Sequence, residues 1–177
     1  MQKTSQLVFT LFSTLAALAP VWSTPIIFCD LVELSPYITA ITPGTAVTGL
    51  GLTQTSGAAT LTKGGFHGGW NYADGGLGAF DGCHYWWLNI GTSSTSVKPL
   101  TWAFDDQITT IWSGGPGVIL TTIAPVSNGT FVAAATSEFI ACKESGSWVL
   151  YLQQGTDVPK GNCVKTQLQE GTSNVIA

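Results

Sequence analysis

Trp148-Val149-Leu150-Tyr151-Leu152-Gln153 is the stretch whose reading decides the fold. In an extended chain Trp148, Leu150 and Leu152 face one way and Val149, Tyr151 and Gln153 the other, the two-residue period of a strand and not the 3.6-residue period of a helix. Tyr85 to Ile90 (YWWLNI) repeats the pattern, with Trp86, Leu88 and Ile90 opposing Tyr85, Trp87 and Asn89. Bulk on both sides predicts that both faces are covered. Working outward, short runs rich in threonine, valine, isoleucine and aromatics recur throughout, and glycine and proline interrupt any longer apolar period. Val32 to Ile41 and Val47 to Leu52 supply the first expected strands. Val118 to Ile123, Phe131 to Ala134, Glu138 to Cys142 and Cys163 to Leu168 supply later ones. Leu100 to Phe104, an Asp105-Asp106-Gln107 turn and Ile108 to Trp112 read as a hairpin.

From Gly64 to Gly82 the chain reads GGFHGGWNYADGGLGAFDG, and eight of these nineteen residues are glycine. Such a tract suits positive φ angles and close backbone approach, so it reads as a long ordered loop or a series of tight turns. GAFDGCHYWWLNIG and EFIACKESGSWVLYLQQG echo one another, each placing a phenylalanine three residues before a cysteine and then an aromatic strand. The echo hints at a duplicated β unit. These features predict one all-β domain, a compact barrel or β-trefoil-like fold, with a β-sandwich as the alternative. Trp86, Trp102 and Trp148 are the expected core tryptophans.

The chain has 177 residues, 45% hydrophobic and only 9% charged, which can fill a core and excludes disorder by composition. All six basic residues are lysines, set against ten acids for a net charge of −4. Nucleic-acid binding is excluded, because it needs clustered cations to displace counterions from phosphates. Lys3 followed by the short apolar run Leu7 to Ala19 reads as a secretory signal peptide over residues 1–23, too short to span a bilayer. Cleavage after Ser23 leaves residues 24–177 as a single secreted domain starting at Thr24, with no second membrane-length run. A secreted chain with four cysteines, Cys29, Cys83, Cys142 and Cys163, implies two disulfides, for which three pairings exist. The hairpin-like segment between Cys142 and Cys163 favours that pair, leaving Cys29 with Cys83. Asn128-Gly129-Thr130 is an N-glycosylation acceptor and a favourable turn, a surface loop on either reading.

Candidate chemistry is sparse. His67 and His84, with Asp74 and Asp81, match no metal-ligand spacing, and no metal or cofactor is expected. A copper polysaccharide oxygenase needs histidine as the first mature residue, where this chain has Thr24. No G-x-S-x-G elbow surrounds Ser145 or Ser147. Asp105 and Asp106 with Glu138 would be the carboxylates of a glycoside hydrolase, yet adjacent acids between two strands suit a turn better. The positive clue is aromatic. Trp70, surrounded by glycine and polar groups and accompanied by Asn71, Tyr72 and Asp74, is the candidate sugar platform, with a plug on the core as the competing role.

LTWAFDDQITTIWSGG, TFVAAATSEFIACKESGSWVLYLQQG and GNCVKTQL then align with a recognisable pattern. Trp102, the acids Asp105 and Asp106, Gly114-Gly115, Ala141-Cys142, Trp148 and Asn162-Cys163 make residues 100–168 resemble the fungal cell wall proteins of the phialide-associated PhiA type. The resemblance implies a small secreted or wall-associated fungal protein without known catalysis, and it carries over no active site. The expected role is therefore a secreted, cell-wall-associated structural or interaction protein contacting wall polysaccharide. The alternatives are a carbohydrate-binding module acting on foreign glycans, a secreted fungal effector or antigen, and, favoured least by the residues, a glycoside hydrolase.

Overall fold

The computed structural model describes residues 37–66, 69–80, 83–104, 108–123 and 135–172. The leader over residues 1–23, Cys29, His67, Asp81, Asp105, Asp106, Asn128 and the expected strand Phe131 to Ala134 lie outside the described residues.

The described chain is all-β: β1 (Ile38–Ala40), β2 (Gly51–Thr55), β3 (Ala58–Thr62), β4 (Gly69–Asn71), β5 (Gly78–Phe80), β6 (Tyr85–Ile90), β7 (Val97–Ala103), β8 (Trp112–Ser113), β9 (Thr121–Thr122), β10 (Phe139–Glu144), β11 (Ser147–Gln153), β12 (Cys163–Thr166) and β13 (Leu168–Glu170). All of its ladders are antiparallel, and the main sheet runs β13-β1-β2-β3-β11-β7-β6-β5-β4, with β10 and β12 branching from β11. Strands β8 and β9 form a separate two-stranded sheet, with Thr122 of β9 also bridging Thr136.

The closed barrel and the trefoil are corrected by this topology. One edge of β11 is shared end to end by two neighbours, β3 at Trp148 and Val149 and β7 from Tyr151 to Gln153. The sheet therefore forks at β11 and its path ends at β4 and β13. Near the C-terminus the chain passes from β10 to β1: Cys163–Thr166 pairs with β10, Gln167 interrupts, and Leu168–Glu170 pairs with β1. The chain wraps the sheet around its core there without a continuous ladder closing it.

The strand Trp148 to Gln153 forms as its alternation requires. Leu150 and Leu152 are fully buried, with half-buried Trp148 packed on the same core. On the opposite face Tyr151 joins Val97, Ile140, Cys142 and Cys163 in a second, smaller apolar cluster. Strand β6 spans Tyr85–Ile90 as expected, with Leu88 buried and Trp86 and Ile90 beside it on the core.

Three expectations change. Leu100 to Phe104 and Ile108 to Trp112 form no hairpin, because one edge of β7 is taken by β6 and the other by β11 and β3. Instead the segment around Thr109 closes on β6 through Asn89 and Ile90, and Trp112 enters the core at 2% exposure, donating its indole N–H to the Leu88 carbonyl at 2.9 Å. Trp112 is thus the most deeply buried tryptophan among the described residues, with Trp102 next at 6%, while Trp86 and Trp148 pack half-buried against the same core. The glycine-rich tract is also not simply loop: β4 and β5 form a short hairpin, Trp70 opposite Ala79, around a single 3-10 turn at Ala73–Gly75. Its glycines make room for aromatic rings, since a Cβ on Gly78 would sit 2.9 Å from the Trp87 ring. The echoing segments are both hairpins, β5–β6 and β10–β11, but Cys83 lies outside the strands while Cys142 is within β10.

One disulfide is found among the described residues, Cys142–Cys163, joining directly opposed residues of β10 and β12. The other expected bridge has Cys29 at one end, outside the described residues.

Candidate functional site

The short strand β4 places the expected sugar platform, and its side chains do not form one. Trp70 is half-buried, its ring 5.6 Å from Phe66 and 6.1 Å from Trp102, and it packs against the core. Its indole N–H is buried without an acceptor among the described residues. Asn71 is half-buried opposite Gly78, and Asp74 is exposed in the turn with a left-handed φ of 50°. Tyr72 reaches elsewhere: its hydroxyl donates to Glu170 Oε2 at 3.0 Å, and its ring lies where a Cβ on Gly114 would approach within 2.7 Å. The exposed platform of Trp70, Asn71, Tyr72 and Asp74 is therefore replaced by a clamp that fastens the glycine-rich hairpin to the last strand. With two tilted rings packed on it and its N–H buried, Trp70 acts as a plug on the core.

Glu170 is 4% exposed and is the one buried acid among the described residues. Burial raises its carboxyl above the usual range, with the Tyr72 hydrogen bond pulling the other way. Burial, then the nearby Glu170 charge, pushes the Tyr72 hydroxyl up, so it stays protonated and donating. Two further acids are engaged on the opposite side of the sheet. Glu144 accepts from the Tyr151 hydroxyl at 2.6 Å, and Asp157 accepts from the Ser96 hydroxyl at 2.8 Å. The Ser96 hydrogen bonds hold Asp157 below its ordinary value, and partial burial followed by the Glu144 hydrogen bond raises Tyr151 to about 12. Glu138 is exposed at the start of β10, and the two acids it was expected to face lie outside the described residues. Exposed His84 packs edge-on against Phe104 at 5.7 Å.

An aromatic row runs along β6, where Tyr85, 41% exposed, stacks on Phe80 at 4.5 Å and lies near-parallel to Trp87 at 6.1 Å. Residues 81–82, which lie between Phe80 and Tyr85 in the chain, are not among the described residues.

A recess lies elsewhere, a groove of about 640 Å³ on the outer face of β7, β11, β10 and β12. Register builds its floor: Pro99 on β7 is directly opposite Tyr151 on β11, and Cys142 and Cys163 close the next two strands with their disulfide. One wall is the hydroxyl-rich run Thr92-Ser93-Ser94-Thr95 and the other the loop from Asp157 to Asn162. Lys98 steadies the first wall by donating to the Ser93 carbonyl at 2.5 Å, and Asp157 ties the second to Ser96. Sequence reasoning assigned no site role to any residue of this groove beyond the disulfide of its two cysteines. The available signal was the alternation itself, which turns Tyr151 away from the core face carrying Leu150 and Leu152.

No family model, curated protein or solved structure matches this chain.

Proposed function

We propose that this chain is a secreted, wall-associated structural or interaction protein that acts by contacting wall polysaccharide and not by catalysis. The observation that carries this reading is the use of three of its ten acids. Glu170, Glu144 and Asp157 each hold a tyrosine or serine hydroxyl in a contact that fastens one part of the fold to another, while an open, hydroxyl-walled groove lies over the disulfide. Carboxylates committed to structural contacts are poorly placed to act as a hydrolytic pair, whose members must face a shared substrate. The Lys3 and Leu7 to Ala19 leader pattern and the wall-protein resemblance over residues 100–168 support the same role. A carbohydrate-binding module acting on foreign glycans is the second reading, favoured by the Tyr151 floor of the groove.

Expression of the tagged chain in a filamentous fungus, followed by fractionation, tests the proposal. The protein should partition with the wall, and purified protein should release no reducing ends from β-glucan, chitin or mannan. Retention inside the cell, or sugar release, would overturn it.

A further inference from the structure

We infer that the groove over the Cys142–Cys163 bridge is the seat of a neutral oligosaccharide chain. The inference rests on the reading of the protein as one that contacts polysaccharide, and it names where that contact is made. Size is the first support: about 640 Å³ falls within the roughly 300–1,000 Å³ of ligand pockets, and the recess is an open groove, so a polymer can pass through it without its ends being enclosed.

The chemistry of the lining is the second support. A pyranose ring has apolar C–H faces and a hydroxyl edge. Tyr151, Pro99 and the disulfide supply an apolar floor for the first, and the wall from Thr92 to Thr95 supplies donors and acceptors for the second. Tyr151 is held in place by its hydrogen bond to Glu144 and by strand pairing on both edges of β11, so little order has to be gained on binding.

Charge is the third. The groove is lined by Lys143 and Lys160 and by two acids, Glu144 and Asp157, but the Lys143 ammonium turns to the face that carries Trp148. Lys143 already lies 5.8 Å over the Trp148 ring, and both acids are hydrogen-bonded. A phosphorylated or acidic ligand would need an excess of cations, and a basic peptide an excess of acids. With no excess of cations and both acids already engaged, a neutral polar ligand is the complement.

The test is retention of the purified protein on insoluble β-glucan, chitin and mannan, comparing the native chain with Tyr151→Ala and Ser94→Trp. Ser94 is exposed on the groove wall, so the second substitution adds bulk to the groove without opening the core. Retention of the native protein on at least one polysaccharide, with at least tenfold weaker retention of both variants, is the expected result. Should Tyr151→Ala fail to fold, Ser94→Trp decides alone. Native retention with a folded Ser94→Trp variant bound within twofold overturns the groove and leaves polysaccharide contact standing. No native retention on any of the three overturns both.

Discussion

Strands β10, β11 and β12 and the glycine-rich hairpin β4–β5 both set a tryptophan against the same core, and they are held there by different means. In the first region each strand is specified by its own side chains. Phe139 and Ala141 face the main core, Ile140 and Cys142 face the smaller outer cluster, and six consecutive pairs join β10 to β11. In the second region only three pairs join β4 to β5, and the side chains that hold it come from afar. Trp87 fills the space over Gly76 and Gly78, Trp102 receives Trp70, and Glu170 receives Tyr72. One region is self-supporting and the other is docked. The lesson is that a glycine-rich strand forms when neighbouring rings supply the bulk it lacks.

The sharpest way to break the comparison is to remove the core element on which both regions depend. Trp112→Ala should cost about 3–5 kcal/mol, since it leaves a cavity and strands the Leu88 carbonyl. Trp70→Ala should cost clearly less, because the ring is only half-buried and its N–H already lacks an acceptor among the described residues. Denaturant unfolding of the two variants orders them, and equal losses would show that the docked hairpin is as integral as the core.

Next comes the staple. The Cys142–Cys163 bridge closes a separation of 21 residues, and replacing both cysteines by serine should cost about 2–4 kcal/mol. Peptide mapping without reduction should recover the pair directly.

Gly78→Ala probes the docked hairpin alone. The added methyl meets the Trp87 ring, so a loss of about 1–3 kcal/mol through overpacking is expected, with a change in tryptophan fluorescence. An unchanged melting temperature would mean that the ring does not rest on that glycine.

The smallest effect is the pH dependence of the clamp. Because burial raises the Glu170 carboxyl in the folded state, the folded chain holds that proton more tightly than the unfolded chain does. Its contribution to stability is therefore fully present below the ordinary glutamate value of about 4.3 and is lost as pH rises through the raised value. Glu170→Gln should remove that component of the pH dependence while keeping an acceptor for Tyr72. A variant with the native pH profile would assign the titration elsewhere.

The same contrast explains what was legible in the sequence. Strands β6 and β11 were readable because a two-residue period is local and needs no knowledge of partners. The Cys142–Cys163 pair followed from the hairpin between them. The hairpin expected from Leu100 to Trp112 did not form, because β6, β11 and β3 compete for the edges of β7, and that competition is invisible in a window of a dozen residues. Trp70 among glycines resembled an open platform for a similar reason: its covering rings, Phe66 and Trp102, are supplied by folding. The Tyr72–Glu170 contact spans 98 residues, and the groove draws its walls from residues near 93 and near 160. Nothing local announces either.

Hydrogen exchange of the purified protein, with and without soluble β-glucan and chitin oligosaccharides, tests the central claim most directly. The account predicts added protection in residues 92–95 and 157–163 and none in the hairpin of residues 69–80. Protection confined to that hairpin would restore Trp70 as the contact and contradict the groove.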